Sequence, residues 1–276
     1  MELNYLRKIA FAAATLAVLA TTSCKKEIPQ GPDTTDKDSN SAKVADNAYV
    51  ELVNVITAVS SGESFKTGSI LSCAVITKDT TITPHVISID FGTGCTGSDG
   101  TVRSGVISAT YNTTKMQTVG CLINATFDHY QANDHMINGT MTIENKGFNG
   151  AGFMNFDVTI NATEDRFSSN TTITANGMVN YEFVAGQTTG TKEDDQLSIS
   201  GALSGVDQVG RQYHATINSP LIKSRATGCD QYFVAGNITY VKPNTADATY
   251  DYGSGQCDDI ATLTQSGNTS TVHLSN

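Results

Sequence analysis

The chain has 276 residues, with 27 acidic against 17 Lys and Arg side chains, a net charge of −10 and only 16% charged residues. That balance lacks the clustered Lys and Arg that nucleic acid rewards and argues against nucleic acid as a partner. A chain rich in Thr, Ser, Asn and Gly, with no Trp at all, has the profile of an exported β-rich protein rather than of a cytosolic α/β enzyme.

The first segment reads as an export signal. Basic Arg7 and Lys8 precede an apolar run from Ile9 to Ala20, followed by small residues. The run is about a dozen residues, well short of the ~20 that cross a bilayer as a helix. Leu19-Ala20-Thr21-Thr22-Ser23-Cys24 resembles the lipid-attachment site of bacterial lipoproteins. Ser23 is the small residue expected before the acylated cysteine, whereas Thr21 stands where the usual signal prefers Leu. The resemblance implies that residues 1–23 are removed and that Cys24 carries several acyl chains of the palmitate type. More than one chain is what stable anchoring requires.

Residues 24–43 are polar and charged, and Pro29 and Pro32 fall among them. Such a segment buries too little apolar surface to offset the entropy of ordering, so a flexible tether is expected. Ser23-Cys24-Lys25-Lys26-Glu27 is similar to the start of Bacteroidota lipoproteins, which implies the outer membrane and leaves its periplasmic and cell-surface faces both open. Asp33-Thr34-Thr35 and Asp79-Thr80-Thr81 resemble the sites where that phylum attaches O-glycans, making Thr34 a candidate for modification.

Residues 44–276 contain no internal linker and are expected to form a single mainly-β domain opened by a helix over 44–61. Ala45, Ala48, Tyr49, Leu52, Ile56 and Val59 recur at three- and four-residue spacing as one apolar stripe, and Gly62 offers a stop. The polar side of that helix lacks Lys and Arg, which argues for packing on a sheet rather than on a membrane surface.

From Ser69 onward the period becomes two. Ile87, Ile89 and Phe91 alternate with polar residues, as do Met154, Phe156, Val158 and Ile160, and Tyr213, Ala215 and Ile217. One buried face and one wet face is the antiparallel signature. Turn residues at Ser98-Asp99-Gly100, Asn133-Asp134, Asn145-Lys146-Gly147 and Gly186 to Gly190 separate the runs. About a dozen or more strands follow, and a sheet that long must curl, close or fold over. The expected architecture is a large curved antiparallel meander sheet, half-barrel-like, with the helix on its concave face. A two-sheet β-sandwich is the alternative.

Cys73 and Cys95, and again Cys229 and Cys257, each read as a cysteine, a hairpin, and an aromatic-Gly-x-Gly turn that ends in a second cysteine. Ile89-Asp90-Phe91-Gly92-Thr93-Gly94-Cys95-Thr96-Gly97-Ser98-Asp99-Gly100 with Arg103-Ser104-Gly105, and Asp251-Tyr252-Gly253-Ser254-Gly255-Gln256-Cys257-Asp258-Asp259, resemble a group of uncharacterised Bacteroidota outer-membrane lipoproteins. The resemblance implies class and compartment and brings no activity with it.

With Cys24 acylated, five cysteines remain in an oxidising compartment, and an odd count leaves one thiol. Hairpin ends bring Cys73 near Cys95 and Cys229 near Cys257, compatible with the ~5.5–6 Å Cα separation of a disulfide. Cys121, on an alternating stretch, would then be a buried free thiol. Pairing of Cys121 with Cys73 or Cys95 is the rival arrangement.

Catalytic and metal signatures are sparse. Asp128, His129, Asp134 and His135 bracket a turn and could be read as a metal site, but polar residues flanking an exposed turn are the commoner cause. Gly97 to Gly100 lacks the acids of a calcium loop. There is no Gly-x-Ser-x-Gly elbow, and Cys121 has no identifiable His partner. Glu144, Glu164 and Glu182 sit on alternating strands, where solvated sheet-face acids are expected, although a paired-carboxylate glycosidase would use the same residue type. No cofactor motif is present. The expectation is a lipid-anchored, non-catalytic envelope protein that meets the membrane through its anchor and a protein, lipid or glycan ligand through its sheet. A surface glycan-binding lipoprotein and a hydrolase with an unrecognised site are the alternatives, and the lining of the largest concavity discriminates among the three.

Overall fold

The structure, a computed structural model, describes residues 71–274 except Ser72, Ser98, Asp99, 113–117, Thr188, 190–192, Asp230 and Gln231. The signal, the tether and the helix expected over 44–61 lie outside the described residues, and so do Cys24 and Thr34.

The described residues form one antiparallel sheet of fourteen strands with no helix. In chain order these are β1 (Val75–Asp79), β2 (His85–Asp90), β3 (Cys95–Thr96), β4 (Val102–Tyr111), β5 (Leu122–Ala132), β6 (His135–Phe148) and β7 (Met154–Arg166). They continue as β8 (Thr171–Ala185), β9 (Gln196–Val206), β10 (Gln212–Ser224), β11 (Phe233–Val241), β12 (Ala248–Ser254), β13 (Ile260–Gln265) and β14 (Asn268–His273). Each strand pairs with the next in sequence except β2, which pairs with β4; β3, a two-residue piece, pairs with β4 beyond the end of β2. β1 and β14 remain the two outer strands, so the sheet is half-barrel-like and not closed. The single sheet replaces the sandwich alternative.

Period-two patterning dictates which side chains face inward. Ile87 and Ile89 on β2, Ile107 on β4, Ile123 on β5, Val158 on β7 and Tyr250 on β12 are all at most 2% exposed and belong to one continuous cluster. Curvature is visible in that cluster, because one small cavity is lined from six consecutive strands, β7 through β12. Laid flat at ~4.8 Å per strand, six strands could not share it.

Two glycines mark where neighbouring backbones crowd. A Cβ on Gly139 would lie 2.3 Å from the Asn161 carbonyl oxygen, and one on Gly177 would lie 2.4 Å from that of Ala202. Both residues sit at positive φ, +133° and +156°, and both occupy inward positions among larger apolar side chains. A glycine in a strand interior marks this kind of bend or close approach.

Bulges break the ladder where the chain must bend further. The β9–β10 register shifts between Thr216 and Leu221, a stretch that contains Pro220. Asn145-Lys146-Gly147, expected as a turn, lies inside β6 as a bulge opposite β7. The Asn145 side chain accepts the Gly147 amide at 2.7 Å, so residues with turn chemistry are satisfied locally without ending the strand.

Cys73 is bonded to Cys95 (Cα–Cα 5.7 Å) and Cys229 to Cys257 (5.3 Å), and Cys121 is a buried free cysteine. Cys73 and Cys229 sit in the turns before β1 and β11. The loops close over 22 and 28 residues, each contributing about 3 kcal/mol on the chain-entropy model. Alkylation of denatured, non-reduced protein should label Cys121. A label on Cys73 or Cys257 instead would break this pairing.

Candidate functional site

The concavity is bounded by Val179 and Tyr181 of β8, Ile199 and Leu203 of β9, Tyr213 and Leu221 of β10, Phe233 and Tyr240 of β11 and Tyr252 of β12. Its enclosed volume is about 40 Å³, small beside the ~300–1,000 Å³ of ligand-filled pockets. The lining is apolar apart from tyrosine hydroxyls. Its rings interlock: Tyr213 with Tyr240 at 6.1 Å, Tyr240 with Tyr250 edge-on at 5.8 Å, and Phe233 with Tyr252 edge-on at 5.2 Å. Such pairs contribute about 0.5–1.5 kcal/mol each beyond their buried area.

One end of the trough is bounded by ion pairs. Asp207, 1% exposed in the turn between β9 and β10, accepts the Val209 amide at 3.0 Å, the Arg211 amide at 2.9 Å and Arg211 Nε at 3.0 Å. Lys242 Nζ, also buried, donates to the same carboxylate at 3.1 Å. Burial raises the pKa of Asp207, but the Arg211 amide, the Lys242 ammonium and the Val209 amide outweigh it, and the carboxyl lies below its ordinary range. On β7, buried Glu164 accepts His135 Nδ1 at 2.8 Å and Arg166 Nε at 3.0 Å. Between the two carboxylates sits Tyr213, whose hydroxyl donates to the Thr174 carbonyl at 3.0 Å. Burial first, then the charges of Glu164 and Asp207, push its phenol well above the usual range.

The far end carries buried groups of both signs, Lys223 on β10 and Asp195 just before β9. Lys223 on β10 is 4% exposed, and its Nζ lies 5.6 Å from the centroid of the Phe233 ring. It pairs across the ladder with Leu197 on β9 and Phe233 on β11.

The outward face is mostly polar, with Met178 and Val241 exposed on β8 and β11, and it is knitted by short side chains. Thr142 donates to Asn124 at 3.1 Å, Asn180 to Asp157 at 2.9 Å, and the Thr239 and Thr249 hydroxyls meet at 2.7 Å. Cross-strand pairs of this kind hold a sheet surface without any apolar area.

The sequence candidates scatter over this frame. His129 is exposed, its ring meeting its neighbour Asp128 at 2.6 Å and its amide donating to the Asn138 side chain at 3.0 Å, while Asp134 accepts Ser168 and His135 turns to Glu164. No group of three or more His, Cys, Asp or Glu able to hold a metal occurs among the described residues. Glu144 is a half-exposed partner of Lys146 at 3.1 Å, and Glu182 accepts Asn149. Glu164 departs from its expected role as a solvated acid, because it points inward and is stabilised by His135 and Arg166 rather than by water. Asp79 of the second Asp-Thr-Thr triplet accepts the Thr81 amide and hydroxyl at 2.9 and 2.6 Å in an exposed turn. Asp207, Tyr213, Lys223 and Lys242 carry no motif. Lys223 and Glu164 could have been found as charges standing in the apolar register of their own strands.

Compared with family models, with curated proteins and with solved structures, the chain finds no match.

Proposed function

We propose that this chain is a lipid-anchored, non-catalytic protein of the outer membrane that holds an apolar ligand in the concave face of its curved sheet. The observation that carries this reading is the lining of the concavity: aliphatic side chains and tyrosine rings, drawn from six consecutive strands. An apolar trough suits an acyl chain or an apolar peptide segment, and the buried carboxylates of Asp207 and Glu164 are paired with Lys242, Arg211, Arg166 and His135 rather than facing one another. A general acid and base pair for sugar hydrolysis needs two carboxyls facing across substrate. A glycan platform wants aromatic faces turned to solvent, whereas Tyr213, Tyr240, Tyr250 and Tyr252 are all buried inside. Resemblance of the leader to lipoprotein signals supports the anchor and the compartment.

Enlarging a wall residue tests the reading. Leu203, partly buried at the cavity, is replaced by Trp, and the full chain is purified from its native membrane. Mass spectrometry of an organic extract of washed, denatured protein should find an apolar molecule in the wild type and less of it in Leu203→Trp. Equal retention by both, or none by the wild type, would count against an apolar ligand.

A further inference from the structure

We infer that the outer edge of β14 is a self-association surface, on which a second copy of this chain adds its own β14, antiparallel, about a two-fold axis at Thr271. The inference stands on the sheet edge and is independent of the apolar-ligand reading.

The last turn fixes which backbone groups face outward along that edge. Ser266 and Gly267, at φ +52° and +76°, join β13 to β14 as a two-residue loop, and the flanking residues Gln265 and Asn268 are partners in register. Residues flanking such a loop exchange main-chain hydrogen bonds, and every second pair of an antiparallel ladder does the same. Asn268, Ser270 and Val272 therefore turn their N–H and C=O groups to β13, while those of Thr269, Thr271 and His273 point away from it. β14 ends the strand order, so among the described residues no strand lies on that side. Asn268, Thr269, Ser270 and Thr271 are all exposed.

Proteins blunt such edges with a lysine, a proline or a bulge. β1, the other outer strand, carries Lys78 and Asp79. β14 has none of these devices. Its register with β13 runs from Gln265↔Asn268 to Ile260↔His273 without a shift, and no residue from Ile260 to Val272 is charged or a proline. Copies of a chain with a net charge of −10 repel one another at long range. An uncharged hairpin lets them meet without setting like charges opposite each other.

The edge is complementary to itself. A two-fold axis at Thr271 sets that residue opposite Thr271 of the second copy, and Thr269 opposite His273 of the second copy. Each pair exchanges two hydrogen bonds, so no outward N–H or C=O of the three residues is left over. Threonines directly opposite each other are a favourable cross-strand pair. His273 Nδ1 lies 3.0 Å from Asp259 Oδ2 of its own chain, which balances the imidazole if it is protonated. The contact uses β14 of both copies and therefore stops at a dimer. It is small beside the ~1,200–2,000 Å² of stable interfaces, and a dissociation constant on the order of 10 µM is expected.

Sedimentation equilibrium of the full chain in detergent, over concentrations spanning that constant, tests the inference. Wild type should pass from monomer to dimer and stop there. Thr271→Pro deletes the donor at the axis, on the side of an edge strand where proline costs β13 no hydrogen bond. Thr271→Lys sets two cations opposite each other at the same point. Each should weaken dimerisation about tenfold or more, whereas Thr77→Lys on β1 should leave it unchanged. A wild type that stays monomeric, or a dimer that both Thr271 variants retain, would overturn the inference. So would growth past the dimer, or a dimer lost in Thr77→Lys, because either would move the contact to β1. Far-UV circular dichroism checks the fold of each variant, and Thr271→Lys decides the outcome should Thr271→Pro loosen the hairpin.

Discussion

Cys24→Ala should move the chain from the detergent phase to the aqueous phase, or leave it as an unprocessed precursor. On the proposed reading, acyl chains on Cys24 hold the protein to the membrane. No helix among the described residues is long and apolar enough to cross a bilayer, although that says nothing of spanning by strands. A single acyl chain gives only marginal, reversible binding, with an association constant on the order of 10⁴ M⁻¹, and each buried methylene contributes about 0.8 kcal/mol. Losing every chain at once should therefore change partitioning by orders of magnitude. Phase separation in a cloud-point detergent, followed by immunoblotting, measures it. If the variant partitions as the wild type does, the lipoprotein assignment is wrong.

Asp207→Ala should cost about 3–5 kcal/mol of unfolding free energy, the scale of breaking a buried ion pair by removing one partner. Asp207 is 1% exposed and Lys242 is 6% exposed, so truncation leaves a buried ammonium without that carboxylate. It also removes the acceptor of the Val209 and Arg211 amides that closes the β9–β10 turn. Arg211 is 42% exposed at its side chain, and its pairing contributes little, being screened by water. Asp207→Asn keeps an oxygen for the amides and should fall between the two. The pH dependence follows from the sign of the shift. The folded pKa of Asp207 lies below its ordinary value of 3.8, so its contribution is fully present above that value and is lost as pH falls through the folded pKa. The gap between wild type and Asp207→Ala should therefore be constant near neutrality and shrink only in strong acid. Urea unfolding at several pH values measures it; a gap below about 1 kcal/mol at pH 7 would show that Lys242 finds another partner.

Much of the sheet could be read from alternation alone. Ile87 with Ile89, Phe156 with Val158 and Ile160, and Tyr213 with Ala215 are inward pairs whose side follows from a period of two, because successive side chains on a strand must point to opposite faces. The cysteine pairs were suggested by the same logic, since the ends of one hairpin lie opposite each other. Turn chemistry was less decisive. Asn133-Asp134 turns the chain, whereas Asn145-Lys146-Gly147 only bulges within β6, because an Asn side chain capping a nearby amide satisfies either geometry.

What the sequence by itself determined is therefore local and periodic: the strands, their buried faces, the hairpin partners, and an acidic, Trp-free composition that disfavours nucleic acid. The tertiary structure alone decided that fourteen strands form one curved, unclosed sheet rather than a sandwich, since curvature depends on close approaches such as Gly177 to Ala202, 25 residues apart in the chain. It also decided the site. Glu164, Asp207, Lys223 and Lys242 come from four separate stretches, and only Glu164 and Lys223 stand in the apolar register of their strands. Folding takes them out of water, and the cost of burying a charge is met by ion pairs for Glu164, Asp207 and Lys242 and in part by the Phe233 ring for Lys223, at one end or the other of an apolar trough.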